Sequence, residues 1–227
     1  MKLYRVALIG LLIGFLSLGT AYAGMFDSLT KAATGSSSSG GGDIDSFLAR
    51  AKESEKLVNA STQSLFSATA SKEEKAKIEE MQKKMNETTD PKEKNKLQKS
   101  LTETQTAAIE RKANDKELQA NAAKWNDKQK QHASDAFYNY ALGALQAGLL
   151  IPEGNNIISS VKSNPMQAVK LATKLDTAYE SITTLGGIAK GSVNTISALK
   201  TLMSAANISV KLPTSATEKP KQVEDVD

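Results

Sequence analysis

The stretch from Trp125 to Ile151, WNDKQKQHASDAFYNYALGALQAGLLI, decides how this chain is read. It begins among Lys124, Asp127, Lys128, Lys130 and Asp135, and from Ala136 to Pro152 it carries no charge. Phe137, Tyr140, Leu142, Leu145 and Leu149 fall on more than one face of a helix, so this part is expected to be surrounded by other helices. Gly143 with Ala147, and Ala144 with Gly148, are small-residue pairs that let a neighbouring helix come close. The stretch therefore reads as the last third of a long helix that leaves a solvated region and enters a core.

Upstream of it the sequence is dense in charge. Residues 44–135 hold 18 basic and 16 acidic side chains, whereas residues 136–212 hold 6 and 3. Apolar residues in the first of these regions form only a thin stripe at spacings of three, four and seven: Ile44, Phe47, Leu57, Leu65, Ile78, Met81 and Met85. Asp43 is a suitable N-cap for this helix, and Ser71 with Glu74 forms a capping box that marks a break near Ala70. Thr88, Thr89, Asp90 and Pro91 make the clearest turn in the chain, with Asp90 as cap and Pro91 at the first helical position. No Pro or Gly follows until Gly143, which predicts one helix from Pro91 to about Ile151. Its own stripe, Leu97, Leu101, Ile109, Leu118 and Trp125, is too narrow to stand alone. The two stripes are natural partners in an antiparallel hairpin, residues 43–135, with Thr88 to Pro91 at its tip.

Downstream, Pro152-Glu153-Gly154 is expected to end the helix and Asn164-Pro165 to start another. Leu175 and Ile182 continue the apolar spacing, Gly186-Gly187 is expected to interrupt it, and Ile196 and Leu199 resume it. Residues 136–208 thus read as a small helical bundle. Residues 209–227, with Pro213, Pro220 and an acidic end, read as a disordered tail. The fold class expected is all-α.

The N-terminus reads as an export signal. Lys2 and Arg5 precede an apolar run from Val6 to Leu18, and Ala21-Tyr22-Ala23 stands before Gly24, so residues 1–23 are expected to be removed between Ala23 and Gly24. Residues 24–42, with Gly35-Ser36-Ser37-Ser38-Ser39-Gly40-Gly41-Gly42, read as a flexible linker. The expected location is the periplasm or the exterior, with no lipobox cysteine and no mature transmembrane span.

Composition narrows the chemistry. The absence of cysteine removes disulfide frameworks, thiol nucleophiles, Cys zinc sites and iron–sulfur clusters. The formal charge of +4 falls to +2 without Lys2 and Arg5, which gives no electrostatic reason to expect nucleic acid. His132 is the only histidine, so a metal or catalytic site there would have to rely on carboxylates; a surface histidine is the better reading. Asp176 and Glu180, spaced i, i+4, are read as lying on an exposed face beside Lys174, and Glu79-Glu80 as a solvated charge run. No phosphate loop or nucleophile elbow is present.

These features point to a non-enzymatic envelope protein without a cofactor. It would act as a scaffold or adaptor through its hairpin, binding an envelope protein or a second copy of itself. The alternative is a membrane-active protein that inserts residues 136–151 and 188–210, though Asn139, Gln146 and Lys200 interrupt those segments and the first is short for a span. A pocket for a small apolar molecule inside the bundle is a weaker third reading.

Overall fold

The structure is a computed structural model that describes residues 40–223. Seven helices pack as a bundle, and among the described residues there is no strand. They are α1 (Gly40–Thr69), α2 (Lys72–Glu87), α3 (Pro91–Ala113), α4 (Lys116–Ala122), α5 (Asp127–Lys162), α6 (Pro165–Lys170) and α7 (Ala172–Ala205). The all-helical expectation holds. The expected cleavage at Ala23 and Gly24, the linker as far as Ser39 and the last four residues lie outside the described residues.

Local signals placed several boundaries. The break near Ala70 is present: Ser71 caps α2 by accepting from the Glu74 N–H, and the Glu74 carboxylate accepts from the Ser71 N–H at 2.8 Å. Asp90 caps α3 by accepting from the Lys92 N–H at 2.9 Å, with Pro91 next in the chain. The first helix, however, begins at Gly40, so Asp43 sits within its opening turn and Gly40 to Gly42 are helix, not linker.

The single helix expected from Pro91 to Ile151 is three helices. Asp115 caps α4 by accepting from the Glu117 and Leu118 N–H groups, and Asn126 with Gln129 forms a second capping box at the start of α5. These caps turn the chain without any Gly or Pro, and the turn sends α5 back along α1. The two run antiparallel over most of their length: Arg50 meets Glu153, Ser54 Oγ donates to the Gly143 carbonyl at 2.8 Å, and Ser64 Oγ lies 2.6 Å from His132 Nε2. The partner of the first stripe is therefore mainly α5, not the strand of helix that follows the Asp90 turn.

Two expected stops do not stop anything. α5 continues through Pro152 to Lys162, and α7 runs unbroken through Gly186-Gly187. An interior proline costs about 3 kcal/mol. Here the residue four before it, Gly148, is exposed, and so is Pro152 itself, so the turn that loses a hydrogen bond lies on the uncovered side of the helix. The next two turns are held by burial of Gly154, Ile158 and Val161 and by the Arg50–Glu153 pair. Gly154 is needed where it is, since a Cβ there would lie 2.6 Å from Phe47 Cζ and 2.9 Å from Ile182 Cδ1. Gly143 allows the same closeness one stretch earlier, where a Cβ would lie 2.7 Å from Val58 Cγ2 and 3.2 Å from the Ser54 carbonyl oxygen.

The core joins what the charge pattern divided. One buried cluster contains Leu65, Ile78, Leu101 and Ile109 from the charged half together with Phe137, Tyr140, Leu199 and Leu202. A second, at the other end of α5, gathers Ile44, Phe47, Ala147, Leu150, Val161, Leu175 and Leu185. Phe137, Tyr140, Leu142, Leu175 and Leu199 are buried as expected. Leu145, Ile182 and Ile196 are half-buried, and Leu149 is 57% exposed because it shares the uncovered face of α5 with Gly148 and Pro152.

The tail expected to be disordered from Ser209 is not so, at least to Val223. α7 ends in a Schellman motif: the Ile208 N–H donates to the Met203 carbonyl at 2.8 Å and the Asn207 N–H to the Ser204 carbonyl at 3.1 Å. Asn207 adopts φ 56°, a left-handed conformation that asparagine tolerates. The reversal lays residues 208–223 back over the bundle as a strap.

Candidate interaction surfaces

Two surfaces carry the residues of interest. The first is an arm made of α2 and the start of α3. α2 packs chiefly on α3, and among the described side chains from Glu79 to Ser100 none is buried. Ile78 and Leu101 are the last core residues, and beyond them Met81, Met85 and Leu97 form a half-buried stripe. The arm is two helices thick, and Thr88, Thr89, Asp90 and Pro91 stand at its end as the sequence suggested. At 1.5 Å per residue α2 spans about 24 Å. From Met81 to Ser100 there are six lysines and three acids. Lys83, Lys84 and Lys99 pair with Glu87, Glu80 and Glu103 along their own helices, at 4.0, 2.7 and 4.0 Å.

The second surface is the face of α5 beneath the strap. Ile208, Val210 and Leu212 alternate inward with Ser209 and Lys211 exposed, the period-two pattern of an extended segment. Val210 packs on a small cluster of Leu57, Tyr138 and Leu142. The strap then runs out to Gln146, whose Nε2 donates to the Ala216 carbonyl at 3.0 Å. A turn follows, organised by Glu218. One of its oxygens accepts from the Thr214 and Ser215 N–H groups at 2.6 and 2.9 Å, and the other accepts from the Tyr138 hydroxyl at 2.7 Å. The returning chain passes Asn139, which donates to the Lys221 carbonyl at 2.9 Å and accepts from the Lys221 N–H at 2.7 Å. The Lys221 ammonium also lies 5.3 Å from the centre of the Tyr138 ring.

The electrostatics follow from these contacts. Hydrogen bonds from Tyr138 and from the backbone of Thr214 and Ser215 stabilise the Glu218 carboxylate and draw its pKa down to about 2. Burial, followed by the bond to Glu218 and its negative charge, pushes the Tyr138 phenol up to about 12. Burial also raises the Tyr140 phenol, which has Ser192, Thr195 and Glu110 around it. Asn139 and Gln146 looked in the sequence like interruptions of an apolar segment. They are buried, and the strap satisfies them. The alternation over 208–212 is the signal that could have revealed it.

Other polar groups do not converge. Among the described residues no group of three or more His, Asp or Glu is placed to hold a metal ion. His132 is bonded to Ser64, and Asp176 and Glu180 are exposed on α7. Glu53, near the Arg50–Glu153 fork, has its pKa raised by burial, which Lys56 partly opposes. No helix among the described residues is long and apolar enough to cross a membrane; residues 136–151 lie within α5, and residues 188–210 take in the second half of α7 and the start of the strap.

A scan against protein-family models finds no match, and neither the curated proteins nor the solved structures yield one.

Proposed function

We propose that this chain is an exported, non-enzymatic helical protein that works as a scaffold or adaptor, docking through the arm of α2 and early α3. The observation that carries this reading is the arm's thinness. A two-helix projection whose stripe of Met81, Met85 and Leu97 stays half-covered leaves apolar surface that a further helix could complete. Methionines suit such a contact because they adapt to irregular partners. The excess of lysine toward the tip favours an acidic partner surface and would speed encounter more than it strengthens the final contact. Export rests on the basic start, the apolar run and the Ala21-Tyr22-Ala23 exit before Gly24.

The test is photo-crosslinking in the native envelope, with the reactive group placed at Lys94 on the arm and, for comparison, at Lys170 on α6. An acidic envelope protein, or a second copy, captured from the arm but not from α6 supports the reading. Adducts from neither position, with a monomer in sedimentation, would sink it.

A further inference from the structure

The strap shows what the α5 face can recognise. We propose that the face carrying Tyr138, Asn139 and Gln146 is a binding site, in trans, for a peptide turn closed by an Asp or Glu carboxylate, and that residues 214–223 of this chain are its resident stand-in. The inference is independent of the role given to the arm.

Three observations carry it. Asn139 bonds both the N–H and the carbonyl of Lys221, which reads the backbone, while the Lys221 ammonium lies 5.3 Å from the centre of the Tyr138 ring. Gln146, seven residues along and so on the same face, reads a second carbonyl. Tyr138 reads a carboxylate, the Glu218 group that also closes the turn by accepting two backbone N–H groups. A ligand therefore needs a turn closed by an Asp or Glu, followed by one extended residue.

The two halves of the strap are held differently. Ile208, Val210 and Leu212 fasten the first half through apolar packing on the core. From Thr214 onward the bonds to α5 are polar, and only Val223 adds apolar contact with the core. Polar bonds to a water-exposed segment are nearly balanced by bonds to water, so the second half can lift while the first stays in place. Lifting opens the amides of Asn139 and Gln146 to water, and these are the groups an incoming peptide would bond in its turn. Burial for stability alone calls for apolar side chains at these two positions; amides there select a shape.

A fluorescent peptide with the sequence of residues 212–223 tests this, titrated into the full chain and into its Glu218→Ala variant. Glu218 lies at the protein surface on the strap, so the variant keeps the helical core, as circular dichroism will verify. The expected result is at least tenfold tighter binding to the variant, whose own strap competes poorly. A peptide in which the residue matching Glu218 is alanine is expected to bind the variant at least tenfold more weakly. Adding Asn139→Leu, or separately Gln146→Leu, to the variant is expected to abolish the tenfold gain. Equal binding to both proteins, binding to neither at millimolar peptide, or indifference to the peptide's carboxylate would each overturn the proposal and leave the strap a structural element only.

Discussion

The arm and the middle of α5 are both helical and both amphipathic in part, yet they hold their surroundings by opposite means. From Glu79 to Ser100 the described side chains of the arm include none that is buried. From Ala136 to Ala144 every residue of α5 is buried. The arm keeps its charges wet and carries exposed pairs along its own helices, such as Lys84 with Glu80, each worth only ~0.2–0.5 kcal/mol. The α5 stretch has no charge and depends on α1, α7 and the strap to surround it. The difference teaches that secondary structure here is cheap to specify, while position in the molecule depends on how many faces of a helix are apolar.

The sharpest way to break that comparison is to remove one large side chain from each region. Phe137 is 1% exposed inside the larger core cluster, and Phe137→Ala is expected to destabilise the chain by about 3–5 kcal/mol through lost transfer and a residual cavity. Met85 is half-buried on the arm, and Met85→Ala is expected to change global stability by about 1 kcal/mol or less. Urea unfolding of both variants checks this. Equal losses would mean that the arm is as integral to the fold as α5.

How far the sequence could be read follows the same division. Ser71 with Glu74 and Asp90 with Pro91 were legible because a cap acts within four residues of itself. Asp115 and Asn126 act just as locally, but in a run without Gly or Pro they did not stand out from helix-forming sequence. Pro152 and Gly186-Gly187 misled in the other direction, since packing on both sides carried the helices through them. The strap was illegible for a further reason: Pro213, Pro220 and the terminal acids resemble a tail, and it is contact with the folded bundle that holds residues 208–223 in place. The arm's tip was therefore recognised from residues 88–91 alone. The polar face of Tyr138, Asn139 and Gln146 needed the folded chain to bring residues some 70–80 positions apart together.

That polar face offers a second comparison, between two coupled acids that titrate at opposite ends of the scale. Glu218 is drawn down to about 2, so its hold on the strap is complete above pH 4.5 and is lost as pH falls toward 2. Tyr138 is pushed up to about 12, so its contribution is complete below pH 10 and is lost as pH rises through 12. Carboxyl-carbon NMR is expected to place the Glu218 midpoint near 2, and tyrosine absorbance to show Tyr138 titrating near 12. In Glu218→Gln the Tyr138 midpoint is expected to move only part of the way back to 10, because burial is the larger cause. A full return to 10 would make the carboxylate, not burial, the dominant influence on this face.

The smallest effect separates glycines that are required from glycines that are merely present. Gly154 touches Phe47 so closely that any Cβ must displace it, whereas a Cβ at Gly187 would meet nothing within 4 Å. Gly187 is exposed, helical and free of positive φ. Glycine in such a position gives up more backbone freedom on folding than alanine does, so Gly187→Ala is expected to stabilise the chain by about 0.5–1 kcal/mol. The check is a rise in the urea midpoint with an unchanged slope. A fall instead would mean that α7 needs at Gly187 a backbone conformation closed to alanine. That would restore the interruption that Gly186-Gly187 suggests in the sequence and would split α7 into two helices.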